Sequence, residues 1–122
     1  MEPAPGDAYF VADEAGVLLG FAHTGPSRRD PDRDGELCGL YVDPDAWSRG
    51  VGRALLERAE EELASAWDEA VLWTLRDNPR TRRFYELAGW KDDGEQDSFE
   101  RLGVSAAIVR YRKRLSMSAS RG

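Results

Sequence analysis

Apolar and polar positions change places in short bursts along the first third of the chain, then recur every three to four residues, a pattern that predicts strands followed by a helix. Ala8 to Asp13 (AYFVAD) and Val17 to His23 (VLLGFAH) are apolar runs joined by Glu14-Ala15-Gly16, which is a hairpin signal. Thr24 to Gly35 is a mixture of arginine, aspartate, proline and glycine that cannot bury a core and predicts a solvated loop. Strand character resumes at Glu36 to Val42 and stops at Asp43-Pro44, because proline lacks the ladder donor and restrains the residue before it.

From Val51 the spacing becomes helical. Val51, Leu55, Ala59, Leu63 and Trp67 fall on one face, while Arg53-Glu57 and Arg58-Glu62 pair on the outside, and the helix is predicted to run to about Ser65 or Trp67. Ala70 to Leu75 (AVLWTL) reads as a buried strand. A strand, helix and strand of these lengths imply a parallel pair with a right-handed crossover. Asn78-Pro79 opens a second helix, with Asn as N-cap and Pro at the first helical position; Phe84, Leu87 and Ala88 are its predicted inner stripe, and Gly89 ends it. Short strands are predicted around Trp90 to Asp92 and Ser105 to Arg114. The segment after Leu115, SMSASRG, reads as disordered.

Composition narrows the setting. A chain of 122 residues makes one domain, and 41% hydrophobic with 33% charged residues is the balance of a soluble globular protein rather than a disordered one. No run reaches membrane-spanning length and the N-terminus carries no secretory signal, so no membrane partner and a cytoplasmic location are expected. The net charge of -6 argues against a nucleic-acid partner; it mildly favours a cationic acceptor, although acidity also serves solubility. Cys38, the one cysteine, lies in an apolar strand and reads as a small buried hydrophobe. His23, the one histidine, has no second His or Cys nearby, so no metal is expected and the residue reads as structural or incidental.

The chemistry concentrates between Leu40 and Glu57 (LYVDPDAWSRGVGRALLE), where a strand, a glycine turn and a helix follow in order. Gly50 and Gly52 remove side chains where a ligand must approach the backbone, and the helix that opens there presents unpaired N–H groups and its positive dipole end. A phosphate or pyrophosphate is the natural guest.

Two blocks together resemble the GNAT superfamily of N-acetyltransferases. SRGVGRALL is similar to that family's acyl-CoA pyrophosphate loop, Q/R-x-x-G-x-G/A, with Trp47 standing where the pattern has Gln or Arg; NPRTRRFYELAGW, Asn78 to Trp90, is similar to the later helix with N-x-x-x-x-x-F-Y-x-x-x-G-F/W. The resemblance covers roughly Ala8 to Leu115 and implies an α/β fold, a mixed and mostly antiparallel sheet flanked by helices, in a single acyl-CoA-binding domain. Family members usually carry a strand and one or two helices ahead of the hairpin, whereas MEPAPGD here leads almost directly into AYFVAD. The implied acceptor side is then open, completed by a partner, or inactive. A sheet without its first strand also gains from pairing that edge with a second copy, which makes a homodimer a compatible assembly.

The resemblance implies acetyl-CoA as co-substrate. Backbone groups of Leu40, Tyr41 and Val42 would bond the pantetheine arm, and the N–H groups of Ser48, Arg49, Gly50, Val51, Gly52 and Arg53 would hold the pyrophosphate. Tyr85 matches the family tyrosine aimed at the thioester sulfur. A phenol near 10 is a weaker acid than a thiol near 8.5, so a hydrogen bond to the developing thiolate is the larger part of its role. Asn78 is explained fully as an N-cap or serves as a pantetheine contact. Glu36 is either a base for the acceptor ammonium or a solvated strand-start carboxylate. Arg80, Arg82 and Arg83 form a basic cluster that meets the 3′-phosphate of CoA or simply faces water. The implied reaction is direct attack of a primary amine, on a small molecule or a peptide, upon the thioester in a ternary complex. A non-catalytic acyl-CoA-binding or regulatory module is the alternative. A nucleotide-phosphate binder is disfavoured, since no lysine and Ser/Thr pair follows the glycines.

Overall fold

The computed structural model describes residues 6–115, so the predicted disorder of the segment after Leu115 lies outside the described residues. The fold is of the α/β class, a mixed sheet of six strands flanked by two helices. The described residues divide into two compact units, residues 6–70 with 114–115, and residues 71–113.

In the first unit β1 (Ala8–Glu14), β2 (Val17–Pro26) and β3 (Gly35–Val42) form an antiparallel meander in that order, with α1 (Val51–Ala64) on one face. The β1–β2 turn is tight because Ala15 (φ 53°) and Gly16 (φ 84°) both take left-handed backbone, matching the twist of the strands they join. Alternation along the strands sends Ala22, Thr24 and Leu37 towards α1, where they are buried with Leu55, Leu56, Ala59 and Leu63. Gly20 permits this approach: a Cβ there would lie 2.5 Å from the Tyr41 carbonyl oxygen and 3.0 Å from Leu55 Cδ1. The predicted helical face is found, with Leu56 added and Val51 only half-buried, and both predicted ion pairs form, Arg53–Glu57 at 3.3 Å and Arg58–Glu62 at 3.9 Å. The helix stops at Ala64, and Trp67 lies beyond it, its indole N–H donating to the Pro31 carbonyl at 3.3 Å.

The loop expectation for Thr24 to Gly35 needs correction at both ends. Thr24 to Pro26 continue β2 and Gly35 begins β3, because Thr24 alternates inward and the cross-strand pairs Thr24↔Leu37 and Pro26↔Gly35 outweigh local composition. Ser27 and Asp34 are also buried: the Ser27 amide donates to the Asp34 carbonyl at 2.9 Å, closing the loop on its own backbone.

In the second unit β4 (Glu69–Leu75), β6 (Val104–Arg114) and β5 (Lys91–Arg101) lie in that order, and α2 spans Pro79–Leu87. Val71, Leu72, Tyr85, Trp90, Val109 and Tyr111 are buried. Two corrections apply. The strand expected around Trp90 to Asp92 runs on to Arg101 and returns through a two-residue Leu102-Gly103 turn, both residues left-handed. Its polar sequence (KDDGEQDSFER) concealed it, since pairing with β6 rather than burial holds it in place. The inner stripe of α2 also differs: Tyr85 is its buried residue, Phe84 and Ala88 are half-buried, and Leu87 is 67% exposed. Polar ties set that rotation. Arg82 donates to the Tyr111 hydroxyl at 2.9 Å, Tyr111 donates to Glu86 at 2.6 Å, and Lys113 donates to the Ala88 carbonyl at 2.8 Å at the helix end.

Candidate functional site

Asp43 ends β3 and caps a single 3₁₀ turn, Pro44–Ala46, through the Asp45 amide at 2.9 Å. The chain then twists twice into left-handed backbone, at Ser48 (φ 70°) and Gly50 (φ 82°), before α1 begins. A serine in that region costs about 1–2 kcal/mol, a strain that persists at ligand-binding turns. Gly50 is the N-cap and carries no capping side chain; the first helical bond runs from the Ala54 amide to the Gly50 carbonyl at 3.0 Å. Among the described residues the amides of Val51, Gly52 and Arg53 therefore meet no backbone carbonyl. Such amides are the donors that a helix N-terminus can offer to an anion. The Arg49 amide is used internally, donating to the Ala46 carbonyl at 3.3 Å, while its guanidinium bonds Glu14 at 3.0 and 3.2 Å.

Leu40, Tyr41 and Val42 pair with Ala22, Phe21 and Gly20 of β2. The Trp47 indole N–H donates to the Val42 carbonyl at 2.9 Å, so the side chain that departs from the Gln/Arg pattern fastens the turn to the strand. Glu36, at the start of β3, is 7% exposed, and its carboxylate accepts the Arg28 amide at 3.1 Å. It supports the loop after β2 and is not the solvated carboxylate of one reading.

In the second unit Asn78 caps α2, its side-chain oxygen accepting the Thr81 amide at 3.1 Å. The Asn78 residue also lines a pocket with Leu75, Arg76 and Ser105 to Ala107. Tyr85 is 7% exposed and meets Phe84 and Trp90 edge to face. No buried side-chain oxygen among the described residues lacks a partner, and the Tyr85 hydroxyl bonds none of them, so that hydroxyl reaches an accessible surface. Burial pushes its pKa up to about 12. Within the arginine cluster Arg82 is committed to Tyr111, the Arg76 carbonyl and Asp92.

A family-wide sequence pattern, that of the acetyltransferase (GNAT) family, matches residues 1–90. The chain belongs to the GNAT family. Among relatives, this GNAT chain is 32% identical over 108 residues to the "Probable N-acetyltransferase Rv2775" of Mycobacterium tuberculosis, covering 88% of this chain and 60% of that one. It is 38% identical over 87 residues to the mycothiol acetyltransferase of Propionibacterium freudenreichii, covering 70% of this chain and 28% of the relative. The chain thus spans less than two thirds of the length of either relative. Solved structures agree on the fold: an N-acetyltransferase from Staphylococcus aureus Mu50 (TM-score 0.76, 24% identity, 89% of this chain and 68% of that one) and the ribosomal-protein-S18-alanine N-acetyltransferase from Escherichia coli (TM-score 0.75, 21% identity, 93% and 72%).

Some features of the GNAT domain were not anticipated from sequence. His23 Nε2 lies 3.0 Å from Asp7 Oδ2, and the imidazole stacks on Tyr9 with ring centroids 4.2 Å apart. Between Thr24↔Leu37 and His23↔Gly39 the register slips, which leaves Cys38 as the extra residue of a β-bulge. Burial, and then the Glu36 charge, push the Cys38 thiol up to about 12. Alternation assigned His23 and Tyr9 to strands, but only register puts them side by side. Among the described residues no cluster of three or more His, Cys, Asp or Glu could hold a metal ion, and no helix is long and apolar enough to cross a membrane.

Proposed function

We propose that this GNAT domain binds acetyl-CoA and transfers its acetyl group to a primary amine by direct attack in a ternary complex. The observation that carries the reading is the start of α1, where a left-handed glycine cap and three unpartnered amides make an anion site from backbone alone. The pyrophosphate rests on the amides of Val51, Gly52 and Arg53, with Ser48 and Gly50 shaping the turn. The pantetheine arm runs along Leu40 to Val42. When bound, acetyl-CoA supplies the activated acyl group; the chain orients it and stabilises the charge that develops. Tyr85 donates a hydrogen bond to the departing thiolate, and Asn78, its oxygen committed to the cap, has its NH₂ left to donate. Glu36 remains a base of the second rank, since its carboxylate already holds the loop.

The acceptor is a small-molecule or peptide amine. A relative named mycothiol acetyltransferase supports a small-molecule acceptor, and a solved structure of the same fold is that of a ribosomal-protein-S18-alanine N-acetyltransferase, so a peptide amine is carried as the other candidate. Isothermal calorimetry with acetyl-CoA, followed by thiol-release assays on a panel of primary amines, tests the reading. Binding followed by release with at least one amine is expected. Absence of acetyl-CoA binding refutes it, and binding without turnover on any amine leaves the non-catalytic acyl-CoA module.

A further inference from the structure

Two rows of side chains cross the three strands of the first unit on the face turned away from α1. One row is Val11, Phe21 and Tyr41, successive cross-strand partners, with Phe21 and Tyr41 in ring contact at 5.9 Å. The other row is Tyr9, His23 and Gly39, again successive partners. The third position of that row is bare. A Cβ built on Gly39 would meet nothing within 4 Å, and Gly39 does not occupy the left-handed region that would demand glycine. Glycine inside a strand forgoes packing, and an interior glycine with open space above it suits close approach of a ligand.

His23 borders that space. Its Nε2 faces the Asp7 carboxylate at 3.0 Å, and since a carboxylate only accepts, Nε2 carries a proton, so that in the neutral ring Nδ1 keeps a lone pair. Among the described residues Nδ1 has no partner. The two side chains are partly accessible, 18% for His23 and 16% for Asp7, so a solute reaches the ring. Gly39 directly precedes Leu40 to Val42, the segment assigned to the pantetheine arm, about one residue rise of 3.3 Å away.

We propose that His23, oriented by Asp7, is the general base that takes the proton from the acceptor ammonium, and that the acceptor amine rests over Gly39. The inference deepens the proposed acetyl transfer and rests on it. The ammonium gives one proton to Nδ1; the freed lone pair forms the C–N bond to the acetyl carbon; the C–S bond then breaks. The remaining excess proton of the nitrogen goes to the thiolate, and His23 returns its own to water. Asp7 is a positioning residue, fixing the tautomer and stabilising the imidazolium. The charged and titratable groups about the ring are Asp7 ahead of β1, Tyr9 on β1, Glu36 and Cys38 on β3, and Arg28 in the loop after β2; Asp7, Glu36 and Arg28 all bear electrostatically on Cys38.

Because His23 is the one histidine in the chain, nitrogen NMR of the ¹⁵N-labelled full chain reads its tautomer and titration without ambiguity. Turnover is followed in parallel against a polyamine, an amino sugar and a peptide with a free α-amine, using the one acetylated fastest. The expected neutral tautomer is Nε2–H, and the acid limb of kcat/KM for the amine should coincide with the NMR titration. H23Q should lower kcat/KM by about 10²- to 10⁴-fold and remove that limb, with acetyl-CoA affinity by calorimetry unchanged. D7N should lower kcat/KM for the amine and weaken the preference for the Nε2–H tautomer in the NMR spectrum, and G39V should raise the amine KM at least tenfold without altering acetyl-CoA affinity. Turnover by H23Q at the wild-type rate with the limb intact, or a limb lost in E36Q instead, overturns the role of His23 alone. Wild-type protein that acetylates none of the three amines overturns acetyl transfer and the base with it.

Discussion

Replacing Tyr85 by phenylalanine removes one hydroxyl from a side chain whose ring is buried and whose oxygen bonds no described residue. The edge-to-face contacts with Phe84 and Trp90 remain, so folding stability should change by less than about 1 kcal/mol. The catalytic effect follows from acidity. With Tyr85 pushed up to about 12 and a free thiol near 8.5, full proton transfer to the leaving thiolate is uphill by about 3.5 pH units, or about 5 kcal/mol. A hydrogen bond to a charged group, by contrast, contributes about 1.5–3 kcal/mol. Tyr85→Phe should therefore lower kcat by about 10- to 150-fold, with acetyl-CoA affinity unchanged. Since the neutral phenol is the active form and the group titrates near 12, its donor capacity should persist throughout pH 7–10, and no alkaline limb in that range should disappear in the variant. Thioesters of more acidic thiols need less help in leaving, so the penalty should shrink along a series of such donors. A wild-type rate in the variant would remove Tyr85 from the reaction. A loss beyond about 10⁴-fold, insensitive to the leaving thiol, would refute the hydrogen-bond argument by making proton delivery obligatory.

Other expectations concern the turn, the loop and the second unit. Gly52→Val adds a branched side chain at the second residue of α1 and should abolish acetyl-CoA binding in calorimetry while the melting curve stays cooperative; retained affinity would displace the proposed pyrophosphate site from α1. In the ligand-free chain a Cβ on Gly50 meets no atoms within 4 Å, so the cost of Gly50→Ala there should be the conformational ~1–2 kcal/mol of left-handed backbone, read as a melting shift. Asp93 is partly buried, which raises its pKa, but the Glu95 amide and the Arg110 (2.7 Å) and Arg112 (3.3 Å) guanidiniums more than offset this and hold it below the ordinary carboxylate value. A depressed carboxylate stabilises above its unfolded pKa near 3.9 and loses that contribution as pH falls through the folded value. Asp93→Asn should therefore cost about 1–3 kcal/mol at pH 7, with the gap to wild type closing below about pH 4 in denaturant titrations.

The sequence was most legible where local chemistry decides the backbone. Asn78-Pro79 announced a helix start because a cap oxygen and a fixed φ act within one turn, and the Asn78–Thr81 bond is the result. Legibility failed where partners lie far along the chain. Beyond the short strand expected at Trp90 to Asp92, KDDGEQDSFER has no apolar face to advertise a strand, yet β6 supplies a ladder for all but its bulged stretch, and the extension to Arg101 was not foretold. The rotation of α2 was misread for a similar reason. Leu87 is the more apolar choice for an inward position, but Arg82, Glu86 and Tyr111 form a polar chain that turns Tyr85 inward and leaves Leu87 in water.

The candidate site divides along the same line. The proposed anion cradle at the start of α1 rests on contiguous residues, so spacing alone drew attention to Gly50 and Gly52, and the structure supplies a left-handed cap and open amides there. A base is not such a property. Glu36 drew attention by position, yet the loop it anchors through the Arg28 amide occupies its carboxylate, whereas His23, unremarkable in its apolar run, gains a partner sixteen residues earlier and an empty neighbour sixteen residues later. Strand register decides both relations. One slip at Cys38 sets Gly39 rather than a side-chain-bearing residue opposite the imidazole, and removing that bulge would put Cys38 there and fill the space. The turn proposed to hold the cofactor can thus be read from a short motif, while the groups proposed to receive the acceptor are specified by how three strands align.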